Sequence, residues 1–520
     1  VERKVAETII ARDLTRLYSV LRDTKGALGA WRRLAEADPR NVDALIEVAT
    51  LSVDAGDTDG AVKALEGAIA LDPEDSRSLQ MLGEIQQKAG RVEEALAKYQ
   101  AAAKLDPSDL VTRLKIGEIL LERKDARAAL AQADEIVKVD EENRFGRDLK
   151  VRALKELGRT DEALALAETL AASDPRDLKA AFLVITLLEQ KGSFEVAEQR
   201  LEALLRRSPQ GEDAESLSRN NRIFWAHMGL VRQRLGRFKD AADAFGEAVK
   251  AAKEKDATLV SYRIDALVSA KDFATALKEA RAARADPAYA KERDFKVLEA
   301  YALQGTGDAA GGAAVIEAGL DANDAPVEDL MAAADYHQRA KNFDKARAYF
   351  ERAAARDTSN VRARFSLGAV LERLKRFDEA EKAFREALAL SPDAAIVQNY
   401  LGYMNADRNV KLDEALALIR KAVESEPDNG SYLDSLAWAY YRLGQHAQAE
   451  EAIRKAVTTQ DKNAVVIAHM GFILAARGAS EEALRYLKMA LTAEDEDGEL
   501  DRALVENKIR SLSSSPAKNP

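Results

Sequence analysis

The small and large apolar positions of this chain recur with a regular spacing of about 34 residues. A small residue recurs near position 8 of each frame, as Ala49, Gly83, Gly117, Gly229, Gly368, Gly402, Ala437 and Gly471. A second recurs at position 20, as in Ala61, Ala95, Ala163, Ala346, Ala380 and Ala483, and a third at position 27, as in Ala68, Ala102, Ala353 and Ala387. Large residues fill position 24, as Trp31, Tyr99, Phe245, Phe350, Phe384 and Leu487. Small side chains let paired helices approach closely, and large ones fill the gap to the next pair. Proline punctuates the series at Pro39, Pro73, Pro107, Pro175 and Pro209, in phrases such as "ALDPED" and "KLDPSD". Its ring and missing N–H stop a helix there.

Two antiparallel helices in about 34 residues is the tetratricopeptide period. The sequence resembles tetratricopeptide repeat proteins along nearly its whole length. The resemblance implies an all-α fold: a right-handed superhelical solenoid of about fourteen helical hairpins. Frames begin near Thr8, Val42, Ser76, Leu110, Arg144, Leu178, Arg222, Ala257, Arg293, Val327, Val361, Ala395, Gly430 and Ala464. Units one to six then occupy residues 1–211, units seven and eight 222–292, and units ten to fourteen 327–497. Residues 212–221 are expected as an inserted loop, and 293–326 as an irregular ninth unit in which Gly312 replaces the usual alanine. Either place suits a hinge or a plain surface loop. The twelfth unit carries one extra residue in its "ADRNVKLDEA" turn. Residues 498–512 are expected to form a polar-faced capping helix, because an end repeat would otherwise expose an apolar face. Residues 513–520 are expected to be disordered.

Composition narrows the chemistry. Of 520 residues, 47% are hydrophobic but only 6% aromatic, and 32% are charged. Ala, Leu, Glu, Lys and Arg in that balance suit closely packed helices. There is no cysteine, which removes disulfides, thiol catalysis and thiolate metal sites. Four dispersed histidines, His227, His337, His446 and His469, form no HExxH motif. A net charge of −11 argues against a nucleic-acid role. The longest largely apolar stretch, 464–476, is too short to span a bilayer. The sequence begins with Val1, which leads to the expectation of a processed or trimmed chain, its signal peptide or lipid anchor no longer in view.

Local motifs have plainer explanations. "GTGDAAGG" (305–312) approaches the dinucleotide fingerprint but falls on a turn between two helices, not after a strand. "DAGDTDG" (54–60) and "EDEDGELD" (494–501) echo calcium loops without the full ligand spacing. Asn429-Gly430-Ser431 has the form of a glycosylation sequon but sits on an inter-repeat turn, where Asn-Gly is expected. No catalytic set, metal site or cofactor site is nominated, and the chain is expected not to be an enzyme.

In the resembled family the first helix of each repeat lines a concave groove through positions 2, 5, 6, 9, 12 and 13. In the last three units position 9 holds Tyr403, Trp438 and Phe472. Tyr400, Tyr441 and His469 occupy positions 6 and 12, Asn399 and Asp434 position 5, and Asp407 and Arg442 position 13. Two readings stay open: these rings anchor a bound peptide, or they pack between repeats. No unit has Asn at position 6, which argues against the family's clamp for chaperone tails.

The stretch 399–457 looks like the C-terminal block of large bacterial envelope tetratricopeptide proteins, many of them lipoproteins. The resemblance implies a non-catalytic scaffold or adaptor for a protein or peptide partner, in the bacterial periplasm or at the outer membrane. Two alternatives are an adaptor that serves a carboxyl-terminal processing protease and a cytoplasmic regulatory module of an enzyme complex.

Overall fold

The computed structural model describes every residue except 1–8, 11, 12, 19, 22, 208–212, 321–323, 494, 496, 497, 499 and 515–520. From Thr24 onward the described residues form twenty-eight α-helices and one short 3-10 turn; residues 9, 10, 13–18 and 20 are also helical, and no strand occurs among the described residues. They divide into two compact units, Val1–Lys253 and Glu254–Pro520.

Helices begin where the frames predict, at Val42, Ser76, Leu110, Arg144 and Leu178 in the first unit. In the second they begin at Ala257, Val327, Val361, Ala395, Gly430 and Ala464. The first expected start, near Thr8, lies outside the described residues. The recurring "DPxD" phrase explains these starts. Asp72 accepts from Glu74 N at 3.1 Å, Pro73 ends the incoming helix, and Asp75 accepts from Ser78 N at 3.0 Å to cap the next one. Asn41, Asp109, Asn143, Asp177, Asn360 and Asn463 cap in the same way.

Each first helix packs on its second helix through the small positions. Ala61, Ala95, Ala163, Ala346, Ala380 and Ala483 are fully buried. So are the position-24 residues Tyr99, Phe245, Phe350, Phe384 and Leu487. Burial of one such side chain contributes about 1.5–3 kcal/mol. The glycines at position 8 make room for them. A Cβ on Gly229 would lie 2.4 Å from the Phe245 ring, and one on Gly368 would lie 2.6 Å from Phe384. The turn inside each repeat needs one left-handed residue, supplied by Gly56, Gly90 and Gly158 in some repeats and by Lys124, Lys271 and Lys375 in others.

The structure revises two local expectations, at 214–221 and at the C-terminal helix, and gives detail to two others. Residues 214–221 are not a loop but the opening turns of the 21-residue helix Ala214–Arg234, capped by Asp213. The ninth repeat is a hairpin of Asp294–Gly305 and the short helix Ala309–Glu317. Gly312 replaces alanine there because the Tyr336 hydroxyl, donating to Ala309 O at 3.0 Å, would lie 2.3 Å from a Cβ. The extra residue of the twelfth repeat is absorbed by two left-handed residues, Asn409 and Lys411. The terminal helix runs Arg502–Ser514, with Val505 buried, so Ser513 and Ser514 belong to it. The rest of the expected tail, 515–520, lies outside the described residues.

No helix among the described residues is long and apolar enough to cross a membrane.

Candidate functional site

Most of the expected C-terminal groove residues gather in one place, but as packing between repeats. Trp438 is 4% exposed. Its indole stacks on His469 at 3.9 Å between centroids and on Tyr441 at 4.9 Å. Its Nε1 donates to Asp407 Oδ1 at 3.1 Å. Phe472 meets it edge-on at 6.1 Å, and Tyr403 lies 6.2 Å from the His469 ring. Asp434 holds His469 Nδ1 at 2.9 Å. Arg442 lies 5.4 Å over the indole, and its guanidinium donates to Ala406 O at 3.0 Å and to Asp407 O.

Of the two open readings, packing between repeats describes Trp438, His469 and Phe472. Asn399, Asp434, Trp438, His469 and Phe472 are buried. Successive first helices approach closely enough for rings one repeat apart to stack, and a stacked ring has no face left for a partner. Tyr400 and Asp407 are exposed, and Tyr403, Tyr441 and Arg442 are half-buried. Tyr400 belongs to another aromatic group, edge-on to Phe365 at 4.9 Å.

An open site occurs earlier in the second unit. Lys341, from the turn after Val327–Arg339, helps line a cavity of about 630 Å³ whose other walls include Tyr301, Asp335, Arg339, Arg362 and Arg373. The latter residues come from three first helices, Asp294–Gly305, Val327–Arg339 and Val361–Arg373. They occupy positions 2, 9 and 13, which are groove positions. Arg339 lies 4.4 Å over the Tyr301 ring. Arg362 pairs with Asp335 at 2.9 Å. Burial raises the pKa of Asp335 above the usual carboxylate value, with Arg362 opposing. Burial also raises the Tyr301 phenol, with Arg339 pulling it down and Asp335 adding to the rise.

The site is thus a basic cleft with Tyr301 in its lining, made by consecutive repeats. The profile of the tetratricopeptide repeat family matches this chain at residues 13–75, 47–110, 149–212, 228–290, 331–395 and 404–464. The chain belongs to the tetratricopeptide repeat family. Arrays of this family are generally non-catalytic scaffolds for protein–protein contacts.

A TPR repeat-containing protein of Pseudomonas aeruginosa is 44% identical over 72 residues, 14% of this chain. The match spans only 12% of that relative's length. Among solved structures, yeast Tom70 aligns over 84% of this chain and 95% of its own, at 15% identity and a TM-score of 0.41. The Cut9 and Hcn1 assembly aligns over 97% of this chain and 96% of its own, at 14% identity and a TM-score of 0.39.

The remaining motifs of this tetratricopeptide array have structural roles. Asp57 accepts from Gly60 N at 2.9 Å and pairs with Arg32, so it serves as a helix cap. The first of these bonds is the largest influence holding its carboxyl below the usual value. Asn429 caps Gly430–Arg442, accepting from Ser431 N at 3.0 Å, as the turn reading expects. Asp308 caps Ala309–Glu317 and accepts from Gly311 N at 2.8 Å, which places "GTGDAAGG" on the turn between two helices. Part of 494–501 lies outside the described residues.

Position 9 alone pointed to the last three repeats. The basic cleft depends on positions 2 and 13 as well. Arg339 and Arg373, at position 13 of consecutive repeats, were the signal that the sequence offered.

Proposed function

We propose that this chain is a non-catalytic adaptor that holds a protein or peptide partner against the first helices of its repeats. The observation that carries this reading is the cavity shared by three consecutive first helices in the second unit. A surface built from equivalent positions of successive repeats suits an extended segment, which touches each repeat in turn.

We place the adaptor in a bacterial envelope complex, at the periplasmic face or the outer membrane, on the resemblance of 399–457 to envelope repeat proteins. Service to a carboxyl-terminal processing protease is the specific form of that proposal. The cytoplasmic regulatory module is its rival, and fractionation of the native organism separates the two.

Site-specific photocrosslinking tests the binding mode. A benzophenone side chain replaces Gln338 or Tyr400 on first helices, or Lys138 or Lys382 on second helices. The lysines are 76% and 79% exposed, so crosslinking there is not limited by access. The proposal expects a discrete adduct in the native organism from Gln338 or Tyr400 and none from the lysines. Adducts confined to the lysine positions would overturn it.

A further inference from the structure

The cleft of the ninth to eleventh repeats has a charge pattern that specifies its occupant. Four cationic side chains line it, Arg339, Lys341, Arg362 and Arg373, against the single carboxylate of Asp335. This contrasts with the net charge of −11 carried by the whole chain. A local concentration of arginine on an acidic protein attracts anions that the rest of the surface repels.

The arginines are also oriented. Arg339 lies against the Tyr301 face at 4.4 Å, a contact that holds its guanidinium at the wall of the cleft. Arg362 already holds one carboxylate, that of Asp335, at 2.9 Å. The cleft therefore contains an internal example of the contact it would make with a ligand. Gly498, within the acidic stretch 494–501, lines the same cavity.

We propose that this cleft binds an extended peptide segment rich in Asp and Glu on a partner protein. Carboxylate side chains meet Arg339, Arg362 and Arg373, with Tyr301 in the lining. Arg362 and Arg373 begin and end the face of one helix, roughly 16 Å apart at 1.5 Å per residue. An extended peptide covers that distance in about five residues at ~3.3 Å each. The favoured ligand accordingly carries two acidic clusters about five residues apart. Its carboxylates are side chains, so a free C-terminus is not required. Planar carboxylates match the guanidinium fork two bonds at a time. The negative charge of the whole chain disfavours a nucleic acid, whose phosphates would extend well beyond the cleft.

This inference rests on first-helix docking as proposed above. Adducts at first-helix positions without acidic-peptide binding would sink the inference alone. Adducts confined to second helices would sink both.

The test uses the full chain and a fluorescein-labelled, C-terminally amidated dodecapeptide with two Glu pairs separated by the spacing given above. Controls are the same peptide with Gln at those positions and a single-stranded DNA 12-mer. Anisotropy is expected to show binding of the Glu peptide that weakens as salt rises. The double variant Arg339→Glu, Arg373→Glu loses about tenfold or more, the scale of one charge-assisted hydrogen bond. Its thermal melt shows whether the fold is kept. Asp335→Asn acts in the opposite direction, tightening binding several-fold by removing the internal competitor for Arg362. A gain of that kind cannot come from unfolding. The proposal is overturned if the Glu peptide fails to bind, or if the Gln peptide or the DNA binds equally well. Unchanged affinity in both variants would also overturn it.

Discussion

The Trp438 indole and the His469 ring lie stacked, 3.9 Å between centroids and 16° from parallel, across the boundary of two repeats. Both are buried, at 4% and 5% exposure, and each is bonded at its edge, Trp438 to Asp407 and His469 to Asp434. The pair is part of the seam between repeats. Trp438→Ala is expected to cost about 3–5 kcal/mol, read as a lower denaturant midpoint. Tyr400→Ala, at a side chain 41% exposed, should cost about 1 kcal/mol or less. Equal losses at the two sites would contradict this assignment. Lost partner binding in Trp438→Ala would report a damaged seam, so Tyr400 is the better probe of binding.

Gly368 and Phe384 provide a test of the repeat core. A Cβ at Gly368 would sit 2.6 Å from Phe384 Cε1, and the ring is fully buried with nowhere to move. Gly368→Ala is expected to destabilise by roughly 1–3 kcal/mol. Gly471 faces Leu487 in the same way, which shows that leucine also fits this position. Phe384→Leu combined with Gly368→Ala should therefore cost less than the sum of the two single changes. A double-mutant cycle with zero coupling would refute the contact.

The turns inside the repeats offer a stabilising change. Lys375 has φ of 58° at the position that Gly56, Gly90 and Gly444 occupy in other repeats. A lysine held there carries backbone strain of order 1 kcal/mol. Lys375→Gly should raise stability by roughly 0.5–1 kcal/mol, part of the relief being offset by the freer unfolded chain. A fall in the melting temperature would show that the lysine side chain contributes more than the strain costs.

His337 sets a pH dependence for the second unit. Its Nε2 lies 2.7 Å from Glu317 Oε1, and its ring stacks on Tyr349 at 5.8 Å. Burial lowers its pKa below the ordinary 6.5 despite the opposing pull of Glu317. The unfolded chain then binds a proton more readily than the native one, so stability declines as pH falls below about 6.5. Burial raises the Glu317 carboxyl, but bonds from Lys345 and His337 outweigh it and hold the pKa below 4.5. That contribution is present above about pH 4.5 and is lost as pH falls further. Denaturant midpoints should drop between about pH 7 and pH 5, and His337→Gln should flatten the drop. An identical slope in the variant would remove His337 from the explanation.

Much of the fold was legible because it depends on local rules. Asp75, Asp109 and Asn143 announce helix starts through a side-chain bond to a backbone N–H in the first turn. Gly83 and Tyr99 stand on the two different helices of one repeat, yet each repeat restates their relationship, so the period itself reveals a packing contact. Residues 214–221 were harder to read. They match no repeat position, and an insertion can extend a helix as easily as it can form a loop.

The candidate site was legible in register but not in exposure. Trp438 and Tyr400 both occupy groove positions of first helices, yet one is 4% exposed and the other 41%. Helical periodicity gives the direction in which a side chain leaves its own helix. It does not give the distance to the next repeat, which decides whether a ring stacks on His469 or faces solvent. The basic cleft required three helices to be placed together before Arg339, Arg362 and Arg373 became one surface.

The sequence by itself determined the repeat, its helix boundaries and the small-to-large pairing of its core, because these follow from caps, periodicity and side-chain volume within a single repeat. Only the tertiary structure decided which aromatics were consumed as packing and which arginines were left lining a cavity. Those outcomes depend on the spacing between helices of successive repeats, a quantity no single repeat encodes.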